Sequence, residues 1–376
     1  MTSQVFGISL RTHFRENLSQ KLKRLFKAME PEEVVKPKSI WAIKIHFGER
    51  GNHTFIRPHL VRSFVDELKD LGAKPFLTDA NTLYVGGRIN SVDHLETAVI
   101  HGFGYEVTGA PLIIADGLRG AAEVGVEVNR GGVKKAWIGA DFMAADGALI
   151  LSHLKGHELT GFGGALKNLG MGAASRRGKL DQHSDLSPKV TTKKCIGCGR
   201  CVRQCAHQAI AFSRKKAHID PEKCVGCAGC IPVCPEEAIA IPWNGDAPRF
   251  MKKMIEYSKA AVDGKGGKVL YVNFVNGISP LCDCVNHSDA PIVADIGILA
   301  SRDPVALDLA SAEVVNNTPG LPGSALPESA LAPGADKWTA MHPDCHWRFQ
   351  LEYAEEIGLG SRDYKLIWLP EVRGVE

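Results

Sequence analysis

The chain has 376 residues, of which 44% are hydrophobic and 23% charged, and its formal net charge is +3. That profile belongs to a globular protein of two or three domains, and it is too weakly basic to argue for nucleic acid or a membrane surface as a partner. No apolar run reaches the roughly 18 residues of a membrane span, and the N-terminus lacks an apolar leader, so a cytoplasmic protein is expected.

The first residues read as a short strand and then an amphipathic helix with Leu18, Leu22, Leu25 and Phe26 on one face. From Ser39 onward strand and helix signals alternate. SIWAIKIHF and KPFLTDA read as strands. Between them PHLVRSFVDELKDLG is a helix that starts near Pro58 and stops at Gly72. SVDHLETAVIHG reads as a helix with Ser91 as N-cap and Gly102 as C-cap. APLIIADG, VKKAWIG and the buried DGALILSHL follow as strands. This rhythm predicts an α/β fold, a mainly parallel sheet with helices on both faces.

The rhythm stops at a cysteine-rich block and resumes with the helix RFMKKMIEYSKAAVDG and the strands KVLYVNFV and APIVADIGILA. SRDPVALDLASAEVVN is a helix with Asp303 as N-cap and Pro304 at its first position. A Pro/Gly/Ala-rich loop and a last helix, CHWRFQLEYAEEIG, close the chain. The expected division is 1–190, an α/β domain with a glycine-rich site; 191–243, the cysteine-rich insert; and 244–376, a C-terminal α/β portion.

Eight of the eleven cysteines lie in the insert. They form two C-x2-C-x2-C-x3-C runs, Cys195, Cys198, Cys201 and Cys205, then Cys224, Cys227, Cys230 and Cys234. This is the spacing of bacterial two-cluster ferredoxins, in which the fourth cysteine of each run ligates the other cluster. One [4Fe–4S] cluster is thus expected on Cys195, Cys198, Cys201 and Cys234, and a second on Cys224, Cys227, Cys230 and Cys205. The halves end in the matching tails HQAIAF and EEAIAI. Structural zinc favours paired C-x2-C knuckles over four-cysteine runs. Clusters of this kind pass single electrons. The flanking Lys193, Lys194, Arg214, Lys215 and Lys216 suit an acidic redox partner of ferredoxin or flavodoxin type, although such charges also serve simply as a solvated face.

The segment GHELTGFGGALKNLGMG packs glycines around Lys167. It fails both the Walker pattern and the dinucleotide pattern G-x-G-x-x-G. It follows a buried strand, where α/β folds place their ligands. Lys167 can act as nucleophile or charge clamp, and His153, His157 and His183 can act as ligands or proton carriers. A small-molecule substrate, or a further metal or organic cofactor, is expected there.

The stretches IKIHFGERGNHTFIRP, LTDANTLY, LSHLKGHELTGFGGALKNLGMG, PLCDC and SDAPIVADIGILASRDPVALD resemble a family known as a domain of unknown function with an inserted two-cluster ferredoxin, common in anaerobic prokaryotes. The resemblance implies the architecture and the clusters, and no substrate. HELTGFGGALKNLGMGAASRRGKLDQH also looks like the nickel-pincer lactate racemases. That second resemblance implies Lys167 as an anchor for a pincer nucleotide, His183 as a metal ligand and His157 as a base. HTFIRP keeps an arginine, Arg57, that resembles one near the racemase's first strand, with shifted spacing. LTDANTLY has no histidine where the racemase has its other essential one, which argues against racemisation, a reaction that needs a base on each face of the carbon.

Cys282 and Cys284 in SPLCDCVNH would face one side of an extended strand. With Asp283, His287 or Cys345 they are a candidate metal or redox site, or else reduced, partly buried thiols. His46, Glu49 and His53 in HFGERGNH mark a strand end that lines the same pocket or forms a hydrogen-bond network. The functional expectation is an iron–sulfur oxidoreductase; the alternatives are an electron carrier without catalysis and a racemase or isomerase.

Overall fold

The computed structural model describes residues 2–130, 132–183, 187–241 and 246–371. β1 (Ser3–Ser9) leads to α1 (Leu18–Ala28), which starts in a capping box between Asn17 and Gln20. β2 (Ile40–Lys44), α2 (Pro58–Asp70) and β3 (Lys74–Asp79) form a βαβ unit with its strands parallel. α3 (Ser91–Ile100) is capped by Asn90, whose side chain accepts from the Val92 and Asp93 amides. Ser91 was the expected cap, but its hydroxyl instead donates to the Gly117 carbonyl at 2.7 Å, a tertiary bond that local propensity does not show. The helix ends at His101, and Gly102 follows with φ +88°.

α4 (Tyr105–Thr108) and β4 (Leu112–Ile114) complete the first half of the sheet. β5 (Glu123–Arg130) and β6 (Val133–Gly139) form an antiparallel hairpin outside it. VKKAWIG is therefore a strand, as expected, but not a strand of the main sheet. α5 (Ala140–Ala144) precedes β7 (Gly147–His153), which is buried throughout. The hairpin β8 (Lys155–His157) and β9 (Gly161–Gly163) then leads to α6 (Ala165–Gly170) and α7 (Arg176–His183).

The cysteine-rich insert holds β10 (Lys189–Val190), α8 (Arg200–Gln204), β11 (Ile210–Ser213), β12 (Lys216–Ile219) and β13 (Ile239–Ala240). β10 pairs with β13 and β11 with β12. α9 (Ala247–Asp263) returns the chain to the body. β14 (Val269–Val275), β15 (Gly297–Ser301), α10 (Pro304–Asn316), α11 (Lys337–Met341), α12 (Arg348–Glu356) and β16 (Tyr364–Trp368) follow. Asp303 caps α10 through the Val305 and Ala306 amides, and Pro304 sits in the first turn. The expected strand APIVADIGILA is extended only over its last residues, as β15.

The main sheet has eight strands in the order β16-β1-β15-β14-β7-β2-β3-β4. It is mixed and mainly parallel, with β15 antiparallel to both its neighbours. Because the C-terminal β14 and β15 lie between β1 and β7, both ends of the chain build one sheet. Alternation along β7 explains why its sequence is apolar without a break. Leu149 and Leu151 enter the core under α1 and α2, and Ala148 and Ile150 enter the core under α6, α9 and α10. The insert has a small core of its own, which includes Ile210, Ile219 and Ile231 and reaches the body through Leu83 and Leu180. Among the described residues, no helix is long and apolar enough to cross a membrane.

Candidate functional site

Folding of the insert sorts its eight cysteines into two small pockets. Cys195, Cys198, Cys201 and Cys234 line one, and Cys205, Cys224, Cys227 and Cys230 line the other. The fourth cysteine of each run thus stands with the first three of the opposite run. Gly197 and Gly226 hold equivalent places in the two runs, with φ of +72° and +69°, a conformation that favours glycine. Backbone amides approach the sulfurs at matching positions: Ala209 N to Cys205 Sγ at 3.3 Å and Ala238 N to Cys234 Sγ at 3.2 Å. The Ala217 amide reaches Cys195 Sγ at 3.5 Å. Such amides stabilise sulfur that carries negative charge. Among the described residues, no three His, Cys, Asp or Glu side chains stand close enough to hold a single metal ion.

The second feature is a cavity of about 540 Å³ at the carboxyl ends of β2, β3 and β7. Lys167, His157 and His183 line it, and so do Cys282 and Cys284. α6 aims Lys167. Its first amides, Ala165 N and Leu166 N, are held by the Asp308 carboxylate at 2.7 and 2.9 Å. A side chain on Gly164 would strike that carboxylate, with Cβ only 2.3 Å from Asp308 Oδ1. Gly170 similarly lies against α9, where a Cβ would stand 2.1 Å from the Met254 carbonyl oxygen. At these positions the glycines serve the packing of the loop on its own protein.

Lys167 Nζ lies 3.5 Å from Cys282 Sγ. The Cys284 hydrogen bond lowers the Cys282 thiol to about 5; burial opposes the shift, and Lys167 and Lys155 reinforce it. Cys284 is correspondingly pushed up, so this pair keeps one proton on Cys284. Burial alone would lower Lys167, but the single negative charge of the cysteine pair, carried chiefly by Cys282, outweighs it and raises the amine.

The cysteines sit in a turn closed by Val285 N to Cys282 O at 3.2 Å, not on the expected extended strand. The turn is clamped at its centre. Asp283 is fully buried, with His153 Nδ1 at 3.0 Å, Lys155 Nζ at 3.3 Å and the Thr54 hydroxyl donating at 2.8 Å. The Tyr84 hydroxyl donates to the Cys284 carbonyl at 2.9 Å. His153 therefore lies behind the cavity as support for the turn and does not line it. Arg57 is exposed at the start of α2, away from the cavity. Of the HFGERGNH residues, His46 lines the cavity, Glu49 is buried against Arg88 at 3.2 Å and His53 is exposed. Cys345 is buried apart from the cavity, and burial raises its thiol to about 11. His287 is exposed.

The structure adds Arg88, paired with Glu49 at 3.2 Å, Lys155, paired with Asp283 at 3.3 Å, and Lys179 to the cavity wall, which also carries Asp79 and Glu158. Asp79 is spent on its own partners, Lys44 at 2.9 Å and Arg88 at 3.5 Å. Burial lowers Lys179 to about 8 and His183 to about 3, and it holds His46 and His157 well below the usual histidine range. Nearby cations push the same way on all three histidines: Arg88 on His46, and Lys167 on His157 and His183. The cavity thus presents ammonium and guanidinium groups beside neutral imidazoles, a setting for an anion. Leu83, Leu159, Met171 and Phe250 supply an apolar side, and Phe250 stacks on His183 at 4.7 Å.

α7 is a common wall. Lys179 and His183 line the cavity, while Leu180 enters the core of the insert beside the cysteines. Asp181 ties α7 to α9 through the Tyr257 hydroxyl at 2.8 Å and Lys253 Nζ at 3.4 Å. Arg177 stacks over Trp137 at 3.8 Å.

Solved structures similar to this chain include the lactate racemase apoprotein from Thermoanaerobacterium thermosaccharolyticum, at 13% identity and a TM-score of 0.41, covering 84% of this chain and 57% of that one. A structural-genomics protein from Thermotoga maritima matches at 12% identity and a TM-score of 0.39, covering 80% of this chain and 58% of its own. The chain therefore spans less than two thirds of either structure. A comparison with curated proteins returns no match. The family model described as domain of unknown function, DUF362, matches residues 42–313, a stretch that runs from β2 through the insert into α10. The chain belongs to that family.

Proposed function

We propose that the protein is an iron–sulfur oxidoreductase that acts on a small anionic substrate in the cavity around Lys167. The observation that carries this reading is the crossed sorting of eight cysteines into two four-sulfur pockets. Cys195, Cys198, Cys201 and Cys234 would hold one [4Fe–4S] cluster, and Cys224, Cys227, Cys230 and Cys205 the other. Such clusters supply one-electron transfer. The chain's own residues do the rest. Leu83, which lines the cavity, and Leu180 belong to the apolar cluster of the insert and so join the two sites. Lys167 and Lys179 bind and orient an anion. His157 and His183, kept neutral by burial, offer imidazole nitrogens that hydrogen-bond the substrate. A bare electron carrier has no use for a cavity of this size and charge.

The test is anaerobic purification followed by iron, sulfide and zinc analysis. About eight irons and eight sulfides per chain are expected, with a paramagnetic signal on reduction. Zinc in place of iron would sink the reading.

A second reading, an isomerase that moves a proton on a 2-hydroxy acid, is favoured by one observation. His46 supplies a further neutral imidazole that the segment LTDANTLY does not. Exchange of solvent deuterium into lactate without any redox reagent would favour it over electron transfer.

A further inference from the structure

We propose that Cys282 and Cys284 are a dithiol–disulfide couple that exchanges with small anionic disulfides in the main cavity. Two thiols one residue apart share a turn, both line the cavity, and both are free in this structure. A turn brings such residues within the Cα separation a disulfide needs. The turn is also held in place: buried Asp283 anchors its centre on His153, Lys155 and Thr54, and Tyr84 holds the Cys284 carbonyl. Metal binding is the weaker use of this pair, because among the described residues no third His, Cys, Asp or Glu joins them at ion-binding distance.

The two thiols are not equivalent. Cys282 faces the Lys167 ammonium at 3.5 Å, which favours its thiolate, while Cys284 retains its proton. That is the division of labour of an attacking and a resolving cysteine. Cys282 sulfur attacks one sulfur of a disulfide R–S–S–R′, forming a mixed disulfide and releasing R′–S⁻. Cys284 then attacks Cys282 sulfur, its proton passes to the departing R–S⁻, and the Cys282–Cys284 bond closes. The chain loses two electrons and the external disulfide gains them as two thiols. The return to the resting thiolate–thiol pair consumes two electrons and one proton. Only that return step rests on the iron–sulfur reading, which supplies its electrons one at a time. Lys167 and Lys179 on the same wall give the substrate its class, a disulfide that carries carboxylates, whereas Lys155 is paired with Asp283 and Arg88 with Glu49.

Trypsin makes the couple directly readable. Residues 269–302 form a tryptic peptide that contains Cys282 and Cys284 and no other cysteine. The full chain is equilibrated anaerobically in mixtures of reduced and oxidised dithiothreitol, quenched in acid, alkylated and digested. The expected peptide passes from doubly alkylated to an unalkylated form two hydrogens lighter. Its ratio should change tenfold for each tenfold change in the buffer ratio, as a two-electron couple requires. A peptide that is doubly alkylated at every ratio, or linked to another cysteine, overturns the proposal. Dithiodiglycolate should oxidise the pair at least tenfold faster than the dication cystamine, and equal rates overturn the substrate class. Iron and sulfide are measured on the same sample. The couple without iron leaves this proposal standing and the cluster reading fallen; iron without the couple does the reverse.

Discussion

Lys167 was legible as a functional residue because its segment is so unusual, but its partner was not. The amine and the Cys282 sulfur are 115 residues apart, and only the position of β14 beside β7 brings them together. The same holds for Arg88, Lys155 and Lys179, each an ordinary cation in sequence and each buried at the cavity. Arg57, by contrast, carried a motif-like neighbourhood and faces solvent. At this scale the pair makes a sharp prediction. The Cys284 hydrogen bond and the nearby Lys167 ammonium both lower the Cys282 thiol, so it holds more thiolate at pH 6 than an ordinary cysteine. Replacement of the amine in Lys167→Met removes the attraction and raises the thiol, so less thiolate remains at pH 6. Alkylation of peptide 269–302 by limiting iodoacetamide at pH 6 should slow about tenfold or more, and the gap should narrow toward pH 9. An unchanged rate at pH 6 would show that Lys167 does not hold the thiolate.

Among the elements, those with a strong period and end signals are where the sequence places them. β7 and β14 are apolar on both faces because the sheet is covered on both sides. α10 carries Asp303 and Pro304 at its start. The failures have physical causes. β6 buries Ala136 and Ile138 on one face, as a strand should, but period alone does not name a partner, and β5 takes it out of the sheet. β16 went unread because its edge position leaves YKLIW only partly buried and mixed in character. Gly170 of α6 permits close contact with α9. Gly170→Ala places a Cβ 2.1 Å from the Met254 carbonyl, a rigid backbone atom. It should cost about 2 kcal/mol, read as a lowered urea midpoint at constant slope. No change in the midpoint would mean that α6 and α9 part without cost.

For the whole molecule, the spacing of eight cysteines carried more information than any other feature, because ligand spacing is short-range and survives without knowledge of the fold. Their grouping predicts the behaviour of paired variants. Cys205→Ser with Cys224→Ser removes two sulfurs from one pocket, and about four irons per chain should remain. Cys195→Ser with Cys205→Ser removes one sulfur from each pocket and should lose iron from both. The opposite pattern would mean that each run closes on itself. The cavity, in contrast, is assembled from the ends of β2, β3 and β7, from α7 and from the turn at Cys282, and no local pattern reports such a convergence. On the proposed iron–sulfur reading, α7 has the further consequence that filling the cavity and charging the insert would be linked. The helix that carries Lys179 and His183 also carries Leu180, so an anion against its one side and added electrons on its other act on a single rigid body. Linkage makes that influence mutual: an anion that binds more tightly when the insert is oxidised must, by the same factor, hold the insert oxidised.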